Sequence, residues 1–139
     1  MLTNRKIIVI EWGDCDPAGV VYYPRYFGYF SACMDALFER GGLPRKMRET
    51  KYQILGTPMV DARARFIAPL RYGESAVIES SVTEIRKSSF QVRHKLYKGK
   101  HLAVEAFETR VWVVRSATDP KRMEARPIPP EVIKRFSKP

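Results

Sequence analysis

Two carboxylates lie close together near the N-terminus, in the run Asp14-Cys15-Asp16-Pro17-Ala18-Gly19-Val20-Val21-Tyr22-Tyr23-Pro24. Pro24 suits the first position of a helix, where a missing N–H is no loss. The segment therefore brings a carboxylate close to a helix start. Free backbone N–H groups there, at the positive end of the helix dipole, can hold an oxygen that gains negative charge. A carboxylate beside such a cradle can attack a carbonyl carbon or activate a water. Together they would form a minimal acyl-transfer site with neither serine nor histidine. A plainer reading makes Asp14 and Asp16 turn and capping residues, with the glycines allowing tight geometry. A metal held by the two aspartates would need further ligands. The chain has only two histidines, His94 and His101, and two cysteines, Cys15 and Cys33, so no metal site is expected. His94 lies on an alternating strand and reads as a core or rim residue. Cys15 reads as a small packing residue, since nothing nearby in sequence would serve as its base. No nucleophile elbow, phosphate-binding loop or dinucleotide fingerprint occurs.

The elements that must position this segment follow from periodicity. From Pro24 to Arg40 only Gly28 is a weak helix former, and Gly41-Gly42 ends the run. Polar or small residues in that helix fall at 25, 28, 31, 35 and 39, a narrow stripe. A helix apolar nearly all round is expected to be buried nearly all round. Residues 6–12 read as a first strand, and 57–68, 76–86, 89–98 and 102–114 as four more. Phe90, Val92, His94 and Leu96 alternate with Gln91, Arg93 and Lys95. Lys87-Ser88 and Gly99-Lys100 are short enough for hairpins. The simplest solution is an α+β fold, a curved antiparallel sheet around one central helix. Residues 1–139 are expected to form a single domain, closed by the proline-rich tail.

Lys and Arg number 25 against 15 Asp and Glu, a formal charge of +10. Such an excess points to an anionic partner, either nucleic acid or a smaller polyphosphate such as a nucleotide or coenzyme A. Two cysteines rule out a disulfide scaffold. The apolar run Ile7-Ile8-Val9-Ile10 is too short for a signal core or a membrane span, so a cytoplasmic protein with no membrane partner is expected.

Glu11-x-Gly13-Asp14-Cys15-Asp16-Pro17-Ala18-Gly19-Val20-Val21-Tyr22-Tyr23-Pro24-x-Tyr26 resembles the opening motif of hotdog-fold acyl-CoA thioesterases of the 4-hydroxybenzoyl-CoA thioesterase type. Gly41-Gly42-Leu43-Pro44, Gly56-Thr57-Pro58 and Arg86-Lys87-Ser88-Ser89-Phe90-x-x-Arg93-His94 extend the likeness to about residue 114. The resemblance implies the hotdog fold, with one long helix wrapped by the sheet. It makes Asp16 the catalytic carboxylate, as nucleophile or general base, and Tyr23 the residue whose backbone N–H polarises the thioester carbonyl. Gly19 would let the turn approach the ligand. Arg86, Lys87, Ser88 and Ser89 match the hairpin that contacts coenzyme A phosphates, and a guanidinium, an ammonium and two hydroxyls at one turn suit that task. Their plainer reading is a solvated hairpin tip. Thr57 matches a position near the junction of pantetheine and acyl group.

Two departures from that pattern stand out. Ser31 occupies the helix position where the 4-hydroxybenzoyl type carries a carboxylate for the substrate's phenol hydroxyl. A serine can hydrogen-bond a hydroxyl but offers no fixed charge. That departure leaves the exact 4-hydroxybenzoyl group open, while an aromatic, 4-hydroxybenzoyl-like acyl group stays the expectation, in keeping with Tyr22, Tyr26, Phe27 and Phe30 nearby, though these rings also suit a core. The tail Arg122–Pro127 is basic but unaligned, and takes no assignment. No cofactor is implied; coenzyme A enters as part of substrate and product. A homodimer or dimer of dimers with the site between subunits is implied, and an exposed sheet edge would favour it. Within enzymes the alternatives are thioesters of acyl carrier protein or aliphatic acyl-CoA. From another class comes a basic module for single-stranded nucleic acid using Arg63, Arg65, Arg93 and Tyr97; it leaves the Asp16 turn unexplained.

Overall fold

Strict alternation builds the centre of the molecule. In β5 (Ser89–Lys98), Phe90, Val92, His94 and Leu96 point inward, while Gln91, Arg93, Lys95 and Tyr97 face out. It pairs on one side with β4 (Ser75–Ile85) and on the other with β6 (His101–Val111), both antiparallel. The first hairpin closes tightly, Arg86 N–H donating to Ser89 O at 2.8 Å. Gly99 closes the second at φ +59°, a left-handed conformation that favours glycine. Outside these strands lie β1 (Thr3–Val9) and β3 (Met59–Phe66), giving the order β1-β4-β5-β6-β3. β2 (Ile54–Gly56), β7 (Val113–Arg115) and β8 (Met123–Ala125) form a second, three-stranded sheet. The computed structural model describes residues 1–139.

Helix α1 (Pro24–Arg40) crosses the concave face of the larger sheet, with Pro24 in its first turn as expected. It buries Tyr26, Phe30, Cys33, Met34, Leu37 and Phe38. The expectation of burial all round needs correcting. Pro24, Arg25, Gly28, Ser31, Ala32 and Asp35 are exposed, because one five-stranded sheet covers only one side of a helix. Two short helices complete the chain, α2 (Arg45–Thr50) and α3 (Pro130–Ser137). The second of these packs Val132 and Phe136 into the core, so the tail is an ordered part of the fold.

Strand boundaries shift where local chemistry intervenes. The first strand runs 3–9 instead of 6–12, because Glu11 and Asp14 cap each other reciprocally around a short 3-10 turn, Trp12–Asp14. The last expected strand breaks at Trp112, which turns fully inward and hands the chain to the second sheet.

The core falls into two apolar clusters. One gathers around Phe38, Phe90, Trp112 and Phe136, the other around Tyr26, Phe30, Ile78 and Leu96. Between them the inward positions of β4, β5 and β6 carry Ser80, His94 and Glu108, all buried. Ser80 and His94 are direct cross-strand partners. A polar layer thus crosses the sheet beneath α1.

Candidate active site

The loop before α1 is built by its own backbone. Isolated bridges join Cys15 to Val21 and Val20 to Arg71. Asp16 N–H donates to Val20 O at 2.9 Å, and Gly19 N–H to Asp16 O at 2.9 Å. Gly19 sits at φ +79°, which explains why a glycine stands there. Ala18 N–H donates to Asp16 Oδ1 at 2.8 Å. This fixes the carboxylate and leaves its second oxygen without a protein partner.

Asp14 has a different task. Its Oδ2 accepts from Glu11 N–H at 3.0 Å, and its carbonyl accepts from Tyr22 N–H at 2.8 Å. Tyr29 lies alongside, and burial, reinforced by the Asp14 carboxylate, pushes the phenol up and keeps it neutral. Asp14 is therefore the turn and capping residue that one sequence reading made of both aspartates. Cys15 packs against the core cluster, as expected for a small packing residue.

At the helix start, Arg25 N–H donates to Tyr22 O and Tyr26 N–H to Tyr23 O, while Pro24 has no N–H. The Tyr23 N–H donates to no group of the protein. One unpaired donor thus remains at the positive end of a 17-residue helix. A depression of about 330 Å³ nearby is lined by Asp16, Tyr22 and Arg25. A second, of about 230 Å³, is lined by the apolar and aromatic side chains of Val21, Tyr23, Tyr26, Phe66 and Ile67. Such an arrangement can bind a carbonyl oxygen while a carboxylate works on the carbon.

Asp16, Gly19 and Tyr23 lie on the one loop that leads into α1, and the other expected site residues lie elsewhere in the chain. Ser31 is exposed on the open side of α1. Thr57 precedes β3, half-buried, its carbonyl accepting from Arg110 Nη1 at 3.1 Å. The Arg86-Lys87-Ser88-Ser89 hairpin closes the far end of β4, whose near end follows the loop that bridges to Val20. Those 11 residues of strand span roughly 35 Å at about 3.3 Å each. Arg86 is already held by Glu84, with contacts of 3.0 and 3.2 Å.

Sequence reasoning missed two contributions. The tail packs onto the hairpin, Ile128 N–H donating to Lys87 O at 2.8 Å and Trp112 N–H to Ser88 O at 2.8 Å. That brings Arg126 beside the hairpin, its backbone N–H bonded to Trp112 O at 3.0 Å. His94 was expected in the core or at its rim, and is fully buried. Its partners, Ser80 and Glu108, could have been found by aligning inward positions of neighbouring strands. Burial pushes the Glu108 carboxyl up, but hydrogen bonding and charge from His94 and Arg110 outweigh it and hold it below its usual range.

The cations named for a nucleic-acid surface face outward on the sheet. Arg63 pairs with Asp61 at 3.4 Å, Arg65 lies 4.0 Å from Glu105, and Arg93 also pairs with Glu105. No group of three or more His, Cys, Asp or Glu side chains is placed to hold a metal ion. No helix is long and apolar enough to cross a membrane.

Comparison with known proteins gives a consistent picture. The model of the thioesterase-like superfamily matches residues 10–136. A 4-hydroxybenzoyl-CoA thioesterase from Pseudomonas sp. strain CBS-3 is 34% identical over 131 residues, covering 89% of this chain and 90% of that protein. The solved structure of the enzyme of that name from the same strain superposes with a TM-score of 0.88 at 31% identity, over 97% of this chain and 99% of the other. A gentisyl-coenzyme A thioesterase gives 0.81 at 27% identity, over 97% and 100%.

Proposed function

The chain belongs to the thioesterase-like superfamily, and from that premise we propose that it hydrolyses an aromatic acyl-CoA to the free acid and coenzyme A. Asp16 and Tyr23 carry the chemistry in this proposal. The observation behind it is the unpaired Tyr23 N–H on the same loop as a carboxylate with one oxygen pinned by Ala18 and the other free. The thioester oxygen docks on the Tyr23 N–H, a contact worth about 3 kcal/mol to a developing oxyanion. Asp16 then acts in one of two ways. As nucleophile its free oxygen bonds to the carbonyl carbon, the C–S bond breaks, and the thiolate leaves with the electron pair; water next cleaves the mixed anhydride to acid and carboxylate. As general base it takes a proton from the water that attacks.

Aromatic specificity is supported by the apolar wall of Val21, Tyr26 and Phe66 beside the donor. The names of two similar enzymes, for 4-hydroxybenzoyl and gentisyl thioesters, agree with it. Ser31 would offer its hydroxyl to a ring substituent.

The substrate's phosphates are assigned to Arg86, Lys87, Ser88 and Ser89, with Arg126 added from the tail. These lie at the opposite end of the sheet from Asp16, which supports a site shared by two chains. β3 is an open edge with Met59, Val60 and Phe66 exposed. Pairing two copies antiparallel along β3 would set the Thr57 end of one chain against the Phe66 and Tyr23 end of the other. A homodimer, or a dimer of dimers, is the working unit in this proposal. A cytoplasmic setting belongs to it too, supported by two unpaired cysteines.

Thiol release from benzoyl-, 4-hydroxybenzoyl-, gentisyl-, arylacetyl- and aliphatic-CoA tests the reading, with acyl carrier protein thioesters as a further arm. Aryl-CoA thioesters are expected to have the highest kcat/KM. Preference for aliphatic or carrier-protein thioesters would overturn the substrate class, and failure to cleave any of them would overturn the activity.

A further inference from the structure

The polar layer in the core ends on a residue of the proposed substrate path. Ser80 Oγ lies 2.7 Å from His94 Nδ1, and His94 Nε2 lies 3.1 Å from Glu108 Oε1. Glu108 Oε2 accepts from Arg110 Nε at 2.8 Å, and the Nη2 of the same guanidinium makes an ion-pair contact with it at 2.7 Å. Arg110 Nη1 then donates to the Thr57 carbonyl at 3.1 Å. Phe30 of α1 stacks on the His94 ring with centroids 4.8 Å apart, which locks its plane.

An ion pair sealed in a core is on balance no more stabilising than apolar residues of the same shape. Its contribution is geometric, and the geometry it fixes is at its open end. The β3–β6 register slips between Met59 and Asp61, so the regular ladder is interrupted there. Just before the slip, two hydrogen bonds tie the incoming chain to the β6 end: Arg110 Nη1 to Thr57 O, and Val111 N–H to Pro58 O at 3.0 Å. A side-chain bond thus supplements the backbone bond at Pro58, and Glu108, packed against His94, holds that side chain in place.

We infer that Arg110 is a positioning residue for thioester hydrolysis, clamped by Glu108, His94 and Ser80, and that it fixes the Thr57-Pro58 segment against the acyl-CoA bound at the facing protomer. The inference rests on the two-chain thioesterase reading above. Arg110 touches no substrate and acts through the backbone of Thr57. Misplacing that segment weakens substrate binding in ground state and transition state alike, so the effect falls on KM and leaves kcat in place.

Arg110→Met alone would strand the Glu108 charge and endanger folding, so the test uses the double variant Glu108→Gln with Arg110→Met, which removes both charges. His94 keeps an acceptor in it. Arg110→Lys serves as the conservative partner, retaining one donor for the Thr57 carbonyl. With the best aryl-CoA substrate, the double variant is expected to raise KM about tenfold with kcat within about twofold, and Arg110→Lys to fall between it and wild type. A folded double variant, by near-ultraviolet circular dichroism, with wild-type KM overturns the inference. So does a fall in kcat at unchanged KM. Wild-type turnover in the same assay reports separately on the thioesterase reading.

Discussion

Replacing Asp16 by asparagine separates its chemical from its structural role. In the loop, Oδ1 accepts the Ala18 N–H at 2.8 Å while the other oxygen is free. Asparagine keeps an oxygen for Ala18, so the turn survives, but it can neither take a proton nor attack as a carboxylate. The loss of a positioned base is expected to lower kcat by about 10²- to 10⁴-fold, or about 2.7 to 5.4 kcal/mol at 1.36 kcal/mol per decade. The structural cost is smaller. A charge-assisted hydrogen bond becomes a neutral one, a difference of about 1 kcal/mol in a half-buried loop. Asp16→Ala removes the acceptor as well and is expected to lose about 1 kcal/mol more. The assay pairs steady-state thiol release with urea denaturation for both variants. Asparagine activity within about threefold of wild type would refute the catalytic assignment, being far less than any positioned base supplies. So would losses in the two variants that simply track their unfolded fractions. Quenched single-turnover samples then decide the mode, since an acylated Asp16 peptide is present only if the carboxylate attacks carbon.

Tyr23→Phe keeps the backbone N–H and the ring contact with Phe66, whose centroid lies 6.3 Å away, so kcat is expected to stay within about threefold; a larger fall by steady-state kinetics would bring the phenol into the chemistry. Gly19→Ala meets no atom within 4 Å, and its cost is the left-handed backbone at φ +79°, expected at about 1–2 kcal/mol by chemical denaturation. Val60→Lys places a charge on the open β3 edge and is expected to shift the sedimentation mass to a single chain and abolish turnover; an unchanged mass with full activity would reject pairing along that edge. Glu108 is held below its unfolded value of about 4.3, so its stabilisation is present above that value and lost as pH falls through the folded one. Thermal melts from about pH 6 to about pH 3 should therefore fall more steeply in wild type than in Glu108→Gln.

Local signals carried much of the fold. α1 begins at Pro24 and ends before Gly41-Gly42, and β5 spans 89–98, because proline, paired glycines and strict alternation act over a few residues. What escaped depends on contacts distant in sequence. α2 is six mostly polar residues with no periodicity to read, held instead by Arg48, which donates to Leu43 O at 3.0 Å and pairs with Asp35 at 2.9 Å. α3 did carry a signal, Val132 and Phe136 four apart behind a proline pair, obscured by the prolines around it. The Asp16 turn was legible as a candidate because carboxylate, glycine and helix start are adjacent in the chain. The distance from that turn to the Arg86 hairpin was not, since it depends on which end of β4 each one joins.

The polar layer across the core has an evolutionary consequence. Apolar cores ordinarily transmit a change in one side chain to its neighbours, because interiors are close-packed. Here Ser80, His94 and Glu108 stand as a bulkhead between the cluster beneath the Asp16 loop and the cluster that seats the tail. Substitutions on opposite sides share few partners, and their effects on stability should add to within about 0.5 kcal/mol. The compartment around Tyr26 and Phe30 is thereby free to be reshaped for a new acyl group without disturbing the one around Trp112 and Phe136. Such a partition lets one scaffold diversify its substrates while the end that anchors the Arg86-Lys87-Ser88-Ser89 hairpin stays as it is.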